Sequence, residues 1–310
     1  MNKLAVLLGI IFFIGCNGTT KNEANKERKE ERESESSHNA GGFFTTKSLP
    51  KKLKEISGLI TDGAAIWAIS DNPKVAIYKL DTSGNVLQQI TVTNIAATDV
   101  EAVAADAEYL YIGDIGDNNG TRDDRLIMKI KKSTIGNGST AMVTAEKIAF
   151  SFPDEISVKK KKKNNFDAEA MFSYKDSLYV FTKRRGDDNT ELMVLSKKAG
   201  TQVARPAGIF NSKGLVTDAA INKNGTEVAL IGYENGHEKP FVWLLNSFAG
   251  TDFFSGKSTQ YQLANRKVDW QTEGITFYND NTLVFSCEET KDFPASLFIM
   301  PKANLDLLNK

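Results

Sequence analysis

A short unit that opens on an acidic residue recurs along the chain, and it constrains the fold more than any other sequence feature. In one copy Glu101 opens an apolar segment, a turn follows, and a second apolar segment ends at Asp114. In every copy the second segment ends 13 to 16 residues after the opening acid. The five opening acids are Glu55, Glu101, Glu169, Asp218 and Glu273. This constancy indicates one structural unit repeated five times.

The spacing of the copies predicts the fold class. Successive opening acids lie 46, 68, 49 and 55 residues apart, and a period near 50 built from short strands and turns is typical of β-propeller blades. We therefore predict an all-β protein with a single five-bladed β-propeller over residues 43–310. A six-bladed propeller is the alternative, because the interval 101–169 is long, although residues 131–166 contain only one convincing strand.

The predicted strands also indicate how the ring closes. The last unit supplies only three strands, at 274–277, 283–287 and 296–300, whereas an earlier strand is predicted near Phe44. Propellers often complete the last blade with an N-terminal strand, because this removes an open sheet edge. We therefore predict that the strand near Phe44 joins the last blade. The fourth strand of the third blade is predicted at about 203–209.

The first 16 residues have the pattern of a bacterial export signal. Lys3 gives a positive start, and the apolar run Leu4–Ile14 is too short to span a bilayer as a helix. The run leads into Gly15 and Cys16 in a context that resembles a lipobox. We predict that residues 1–16 are a lipoprotein signal peptide with lipidation at Cys16; plain secretion is the alternative.

Residues 17–42 are polar, mixed in charge and without an apolar stripe, which predicts a disordered tether. A lipid on Cys16 would anchor the protein to a membrane of the bacterial cell envelope without spanning it. We expect an outer-membrane location on the periplasmic or the surface face. We also expect a monomer whose partner is a small molecule or an envelope protein.

Composition excludes several function classes. Lys and Arg together number 39, as do Asp and Glu, so net charge gives no reason to expect nucleic acid as a partner. Because Cys16 is the predicted lipidation site and His38 lies in the predicted tether, the remaining His237 and Cys287 are too few for a Cys/His zinc site, and a lipidated Cys16 leaves Cys287 without a disulfide partner. The five lysines at 159–163 indicate a solvated loop, with contact to a polyanion as the alternative.

The five opening acids predict a ring of carboxylates, because the inner strands of a propeller start at one mouth of its channel. Like charges at close range need protons, basic side chains or a cation, and hard oxygen ligands suit Ca²⁺. The alternative is structural, with the carboxylates capping turns or accepting backbone hydrogen bonds. The candidate metal ligands are Glu55, Glu101, Asp114, Asp117, Glu169, Asp218 and Glu273. The candidate ligand-rim residues are Asp71, Asn72, Asn118, Lys183, Arg184 and Glu288.

Several motifs resemble those of a known group of proteins. They are Asp99-Val100-Glu101-Ala102-Val103, Gly113-Asp114-Ile115-Gly116-Asp117-Asn118, Asp167-Ala168-Glu169-Ala170, Thr217-Asp218-Ala219-Ala220-Ile221 and Thr272-Glu273-Gly274-Ile275. Over about residues 55–300 the chain is similar to secreted bacterial β-propellers of the phytase-like and SdiA-regulated kind, many of them lipoproteins. The resemblance implies a propeller with a Ca²⁺ site and an ester or phosphoester hydrolase activity.

Two functions therefore remain open. The first is a binding module without catalysis, in which an acidic, Ca²⁺-loaded mouth receives a ligand or an envelope partner. The second is a Ca²⁺-dependent hydrolase of an ester, a lactone or a phosphoester. In that case the cation polarises the substrate, and a ring carboxylate acts as the base, with Glu101 and Glu169 as candidates.

Overall fold

The computed structural model describes residues 42–71, 75–153, 163–234, 238–264 and 268–308. The predicted signal peptide with Cys16, the tether up to residue 41, Asn72 and Lys159–Lys162 lie outside these ranges. Within them no helix is long and apolar enough to cross a membrane. The regular structure there is almost entirely β-strand.

The described strands are numbered in chain order. They are β1 (Thr45–Ser48), β2 (Ile56–Asp62), β3 (Ala65–Ser70), β4 (Ala76–Leu80), β5 (Val86–Val92), β6 (Val100–Ala105), β7 (Tyr109–Asp114), β8 (Leu126–Lys131), β9 (Thr140–Val143), β10 (Glu146–Ser151), β11 (Ala168–Tyr174), β12 (Ser177–Thr182), β13 (Thr190–Ser196), β14 (Gly200–Val203), β15 (Arg205–Phe210), β16 (Leu215–Ile221), β17 (Glu227–Glu234), β18 (Glu238–Asn246), β19 (Lys257–Gln262), β20 (Thr272–Asn279), β21 (Thr282–Cys287) and β22 (Ser296–Pro301). The short helical pieces are the 3₁₀ turns Lys51–Leu53, Lys132–Thr134 and Lys302–Asn304, and the helix Leu305–Leu308.

These strands form five sheets arranged as the blades of a five-bladed β-propeller, which confirms the predicted fold class. The strand orders from inside to outside are β2-β3-β4-β5-β9, β6-β7-β8-β10-β14, β11-β12-β13-β15, β16-β17-β18-β19 and β20-β21-β22-β1. The inner strands contact one another in the ring order β2, β6, β11, β16, β20 and back to β2. The six-bladed alternative is wrong.

The hydrophobic core lies between the blades. Each of the five described apolar clusters joins side chains from two adjacent blades. In β3, for example, Trp67 and Ile69 pack toward the second blade, whereas Ile66 and Ala68 pack toward the fifth. Because both faces of a blade are covered, its strands are near-continuous apolar runs instead of alternating ones. This explains the repeated apolar segments of the sequence.

The N-terminal strand closes the ring as predicted. β1 pairs antiparallel with β22, from Thr45 opposite Ile299 to Ser48 opposite Ser296. Just before it, the Phe44 ring meets Phe298 edge-on with centroids 5.2 Å apart. β1 is therefore the outer strand of the last blade, and the outer edge of β22 is covered.

Two blades carry a fifth strand that the sequence did not predict. β9 pairs parallel with β5 of the first blade, and β14 pairs parallel with β10 of the second. The prediction of one strand in 131–166 was therefore incomplete, because that interval holds both β9 and β10. The predicted strand at 203–209 corresponds to β15. The strand just before it, β14, pairs with the neighbouring blade instead. β9 and β14 both cover outer sheet edges, and β9 lies within the long 101–169 interval and lengthens it.

Candidate functional site

A β-bulge near the start of every inner strand builds one mouth of the channel. In each blade the pairing with the second strand skips one residue. A bulge re-aims the side chain at the skipped position, and bulges are common next to functional sites. The skipped residues are Ser57, Glu101, Glu169, Thr217 and Glu273. Three of the five equivalent positions thus hold a glutamate.

Two of the predicted ring acids lie at other positions. Glu55 comes two residues before the skipped Ser57, and its side chain is 49% exposed and pairs with Lys54 at 3.0 Å. Asp218 follows the skipped Thr217 and is fully buried. The sequence pattern aligned these acids with the ring because Glu55 and Asp218 flank their bulges.

Asp218 serves the frame of the propeller. Its carboxylate accepts hydrogen bonds from the backbone amides of Leu59 at 3.3 Å, Ile275 at 2.8 Å and Ala219 at 2.8 Å. It therefore joins three inner strands, β2, β16 and β20. Burial raises the pKa of Asp218 well above its usual value in spite of these donors. This is the structural role that the sequence left open for the ring acids.

One side of the mouth is neutralised by a buried lysine. Lys183 forms a short ion pair with Glu169 and donates a hydrogen bond to the Tyr233 hydroxyl at 2.9 Å. That hydroxyl in turn lies 3.3 Å from Oε1 of Glu273 and donates to it. Burial alone would lower the pKa of Lys183, but Glu169, Tyr233 and Glu273 outweigh it and raise that pKa well above its usual value. Lys183, predicted for the ligand rim, thus compensates two ring glutamates.

Arg185 belongs to the same network, whereas the predicted Arg184 does not. Arg185 donates to Asp167 Oδ2 at 2.8 Å and to Glu169 Oε1 at 3.3 Å, and its guanidinium also bonds the side chain of Asn118. Arg184 instead pairs with Asp187 at 2.6 Å and Glu191 at 2.8 Å. Adjacent residues point to different sides of the loop, which the sequence run Lys-Arg-Arg did not reveal.

The Asp114–Arg122 loop is held by its own acids. Asp114 accepts the amide of Asp99 at 2.8 Å and pairs with Arg122 at 2.9 Å. Asp117 pairs with the buried Arg125 at 2.6 Å. Both carboxylates, predicted as metal ligands, are therefore engaged by donors in the loop framework.

Gly116 lets this loop approach the ring. A Cβ at this position would lie 2.5 Å from Oδ2 of Asp99 and 2.8 Å from Cγ of Glu101. Real Cβ atoms do not come this close to other heavy atoms, so a residue with a side chain would displace these acids. The Asp114–Arg122 loop thus places its backbone at Gly116 directly against the carboxylates of Asp99 and Glu101.

The other side of the mouth holds three acids that face one another. One oxygen each of Asp71, Asp99 and Glu101 can be chosen so that all lie within 4.8 Å of one another. All three residues are half-buried. We call Asp71, Asp99 and Glu101 the acidic triad. Asp99 was not among the predicted metal ligands or rim residues, although it opens the quoted motif Asp99-Val100-Glu101-Ala102-Val103, and this position was the sequence signal that could have identified it.

The pKa values of this side are raised. Burial, and then the charges of Asp99, Glu55 and Asp114, raise the pKa of Asp71 to about 6. Burial and the neighbouring carboxylates Glu169 and Asp99 raise the pKa of Glu101 well above its usual value. Burial and then Glu273 raise the pKa of Glu288, on the rim, to about 8. These carboxyls need protons or a cation, and the oxygen-only donor set fits Ca²⁺.

A second concave region lies at the opposite mouth of the channel. A cavity of about 740 Å³ is lined by residues from the ends of all five inner strands and the turns that follow them. None of its lining residues belongs to the acidic triad or to the Lys183 network. The propeller therefore has two chemically different mouths.

Comparison with known proteins gives only structural similarities at low sequence identity. No family model matches the chain, and no curated protein matches it in sequence. Many solved structures match the chain. The chain is similar to the soluble aldose sugar dehydrogenase of Escherichia coli, with TM-score 0.46 and 9% identity over 83% of this chain and 99% of that chain.

Two further solved structures are similar. For a candidate 6-phosphogluconolactonase from Bacteroides uniformis the TM-score is 0.37 and the identity 14%, over 82% of this chain and 68% of that one. For hydrazine synthase of Kuenenia stuttgartiensis they are 0.37 and 11%, over 79% of this chain and 59% of that one. The chain thus spans little more than half of that synthase chain. Likeness at this level carries no argument about what the chain does.

Proposed function

We propose that the protein is a lipoprotein of the bacterial cell envelope whose propeller is a binding module with a Ca²⁺ site at its acidic mouth. The single observation that carries the cation site is the convergence of Asp71, Asp99 and Glu101 oxygens within 4.8 Å. Carboxylates at this spacing repel one another, and a cation bound between them removes the repulsion. The envelope location rests on the apolar run before Cys16.

The neighbouring network gives the mouth a second binding element. The Arg185 side chain is 22% exposed while it pairs with the buried Asp167. A cation at the triad together with this guanidinium would offer positive charge to an anionic group of a ligand. The proposed partner is a small molecule or an envelope protein that presents such a group.

Calcium-dependent stability tests the cation site. For residues 42–310, which form one compact unit, Ca²⁺ at 100 times its Kd should stabilise the fold by about 2.7 kcal/mol and raise Tm by several degrees. Asp99→Asn and Glu101→Gln should remove this shift. Glu108→Gln, an exposed acid in the turn after β6, is the matched control and should keep it. A wild-type Tm that does not respond to Ca²⁺ or to a chelator would contradict the site.

A Ca²⁺-dependent hydrolase is the second candidate function. It is favoured by Glu288, whose pKa of about 8 keeps a proton available near neutral pH beside the mouth. Glu169 is less suited to act as the base, because Lys183 and Arg185 already bind its carboxylate. Glu101 would be a cation ligand.

A substrate screen separates the two functions. Ester, lactone and phosphoester substrates are assayed with Ca²⁺ present. If the protein is a hydrolase, Glu288→Gln should lower kcat while Ca²⁺ binding persists, and Glu101→Gln should abolish both. Turnover that is unchanged in Glu288→Gln would exclude Glu288 as the acid. If no substrate class is turned over, the binding module remains as the function.

A further inference from the structure

The cavity at the mouth opposite the acidic triad has the size and lining of a ligand site. Its volume of about 740 Å³ falls within the range of roughly 300 to 1,000 Å³ that is typical of small-molecule pockets. The small side chains of Ala104, Ala105, Ala219 and Ala220 line it and leave the space open. Five different blades contribute to its wall, so its shape is fixed by the whole ring.

This cavity is separate from the acidic mouth. Asp218, bound to the amides of Leu59 and Ile275, joins inner strands at a level between the two mouths. The lining of the cavity begins further along the same strands, at Ile60 and Thr276. A molecule bound in the cavity would therefore contact a different set of side chains from a ligand at the triad.

The charges of the lining balance. Three aspartates and three lysines line the cavity: Asp62, Asp106, Asp280, Lys175, Lys197 and Lys223. Asp106 pairs with Lys197 at 2.9 Å, and Asp62 pairs with Lys132 outside the lining at 2.7 Å. Because the lining has no excess of either charge, it does not favour an anion or a cation.

The neutral polar groups of the lining are held in place by other contacts. The Thr276 hydroxyl accepts the Thr61 amide at 2.9 Å and lies 3.3 Å from the Thr61 hydroxyl. The Asn222 side-chain oxygen accepts the Thr226 amide at 2.9 Å. Tyr174 and Tyr278 add amphipathic rings to the wall. Hydroxyls, amides and aromatic rings in a charge-balanced cavity suit a ligand with many hydroxyl groups on an apolar frame.

We propose that this cavity is a second ligand site, which binds a neutral carbohydrate of one or two sugar units. The Thr61 hydroxyl accepts from Thr276 and would donate its own proton to a hydroxyl group of the sugar, and the C–H faces of the sugar would pack on the tyrosine rings. The fixed positions of these groups reduce the ordering cost of binding.

The test is sugar binding to the full mature chain. Glucose, galactose, N-acetylglucosamine and maltose are titrated, with gluconate as the anionic counterpart, while methyl signals of labelled alanines are followed by NMR. At least one neutral sugar should bind with a Kd of about millimolar order and shift the methyl signals of Ala104, Ala105, Ala219 or Ala220. Binding should be the same with and without a chelator, because no triad residue takes part.

Variants assign the binding to this cavity. Ala105→Phe should fill the cavity and abolish binding. Thr61→Val keeps the backbone amide but removes one hydroxyl, and it should weaken binding roughly three- to tenfold. Thr140→Val, an exposed threonine on β9, is the control and should leave Kd unchanged. The proposal is overturned if no neutral sugar binds saturably, if gluconate binds more tightly than every neutral sugar, or if a folded Thr61→Val binds like the wild type.

Discussion

At the scale of the residue, the acidic mouth depends on which side chain occupies each bulge and on what approaches it. Glu101, Glu169 and Glu273 occupy three bulges, but their surroundings differ. Glu169 and Glu273 share the buried Lys183 and Tyr233, whereas Glu101 faces Asp71 and Asp99. Equivalent backbone positions thus give a half that a basic side chain neutralises and a half that stays acidic, because Lys183 follows β12 whereas Asp71 follows β3 and Asp99 precedes β6.

Gly116 is the residue whose replacement should damage the triad most directly. In Gly116→Ala the added Cβ would meet Asp99 and Glu101 at 2.5 and 2.8 Å. We expect a loss of about 1 to 3 kcal/mol in unfolding free energy and a loss of the Ca²⁺-dependent Tm shift, measured by urea unfolding and by thermal melts. Gly136→Ala is the control, because a Cβ there meets no atom within 4 Å. Equal stability of the two variants would show that the close approach is not needed.

The two neighbouring arginines provide a matched pair. Arg185→Gln leaves the buried carboxylates of Asp167 and Glu169 with fewer donors. Since Arg185 is partly exposed, we expect a loss of about 1 to 3 kcal/mol, below the full cost of breaking a buried pair. Arg184→Gln breaks pairs with Asp187 and Glu191, whose carboxylates are more exposed than those of Asp167 and Glu169, and should cost about 0 to 1 kcal/mol. Urea unfolding measures both values, and a reversed order would contradict the assignment of Arg185 to the buried network.

At the scale of the element, each blade is built on an antiparallel sheet, and three of the five blades gain an outer strand from another part of the chain. The last blade uses β1, and the first two blades use the parallel strands β9 and β14. These additions link each of the first two blades to the chain of its successor. Ring closure and strand exchange therefore serve the same purpose, which is to protect sheet edges.

The closing strand is held by one aromatic side chain in particular. Phe44 meets Trp270, Phe285 and Phe298 with centroid distances of 5.8, 5.8 and 5.2 Å. Phe44→Ala should lower the unfolding free energy by about 2 to 4 kcal/mol and speed amide exchange in β1 and β22. Thr45→Ala, an exposed position on β1, should change stability by less than about 0.5 kcal/mol. Unaltered exchange in Phe44→Ala would mean that backbone pairing alone holds β1.

At the scale of the whole molecule, the fold brings acidic residues from distant parts of the chain close together at one mouth, where their carboxylates repel one another. The inner strands converge on the channel, so the skipped residue of each bulge lies near the equivalent residues of other blades. The five inter-blade cores keep the ring rigid against this repulsion. The opposite mouth, formed by the other ends of the same strands, has balanced charge and open space instead.

The repulsion among the carboxylates at the acidic mouth predicts that the stability of the protein depends on pH. The pKa of Glu288 is raised from 4.5 to about 8 in the folded protein, so the folded state binds its proton more tightly than the unfolded state. Its contribution to stability is present below pH 4.5 and is lost as the pH rises to about 8. With a chelator present, Glu288→Gln should flatten the decline in unfolding free energy over this window, as measured by urea unfolding at several pH values. Glu289→Gln, its exposed neighbour, should retain the wild-type slope.

The sequence by itself determined the repeat, the five blades and the closure by the strand near Phe44. It could do so because apolar segments covered on both faces, and the turns between them, are local patterns that survive in a linear chain. It also indicated the acidic mouth and the Asp114–Arg122 loop. The signal was the acid at the start of each inner strand.

Only the tertiary structure decided which acids meet. The strand register puts Ser57 and Thr217 at the bulge positions, whereas the pattern had assigned these positions to Glu55, two residues earlier, and to Asp218, one residue later. The tertiary structure likewise places Arg185, and not Arg184, in the buried network and brings Asp99 into the triad. It also pairs β9 and β14 with strands of neighbouring blades. These outcomes depend on long-range register and on loop direction, which are set by packing among blades and leave no periodic trace in the sequence.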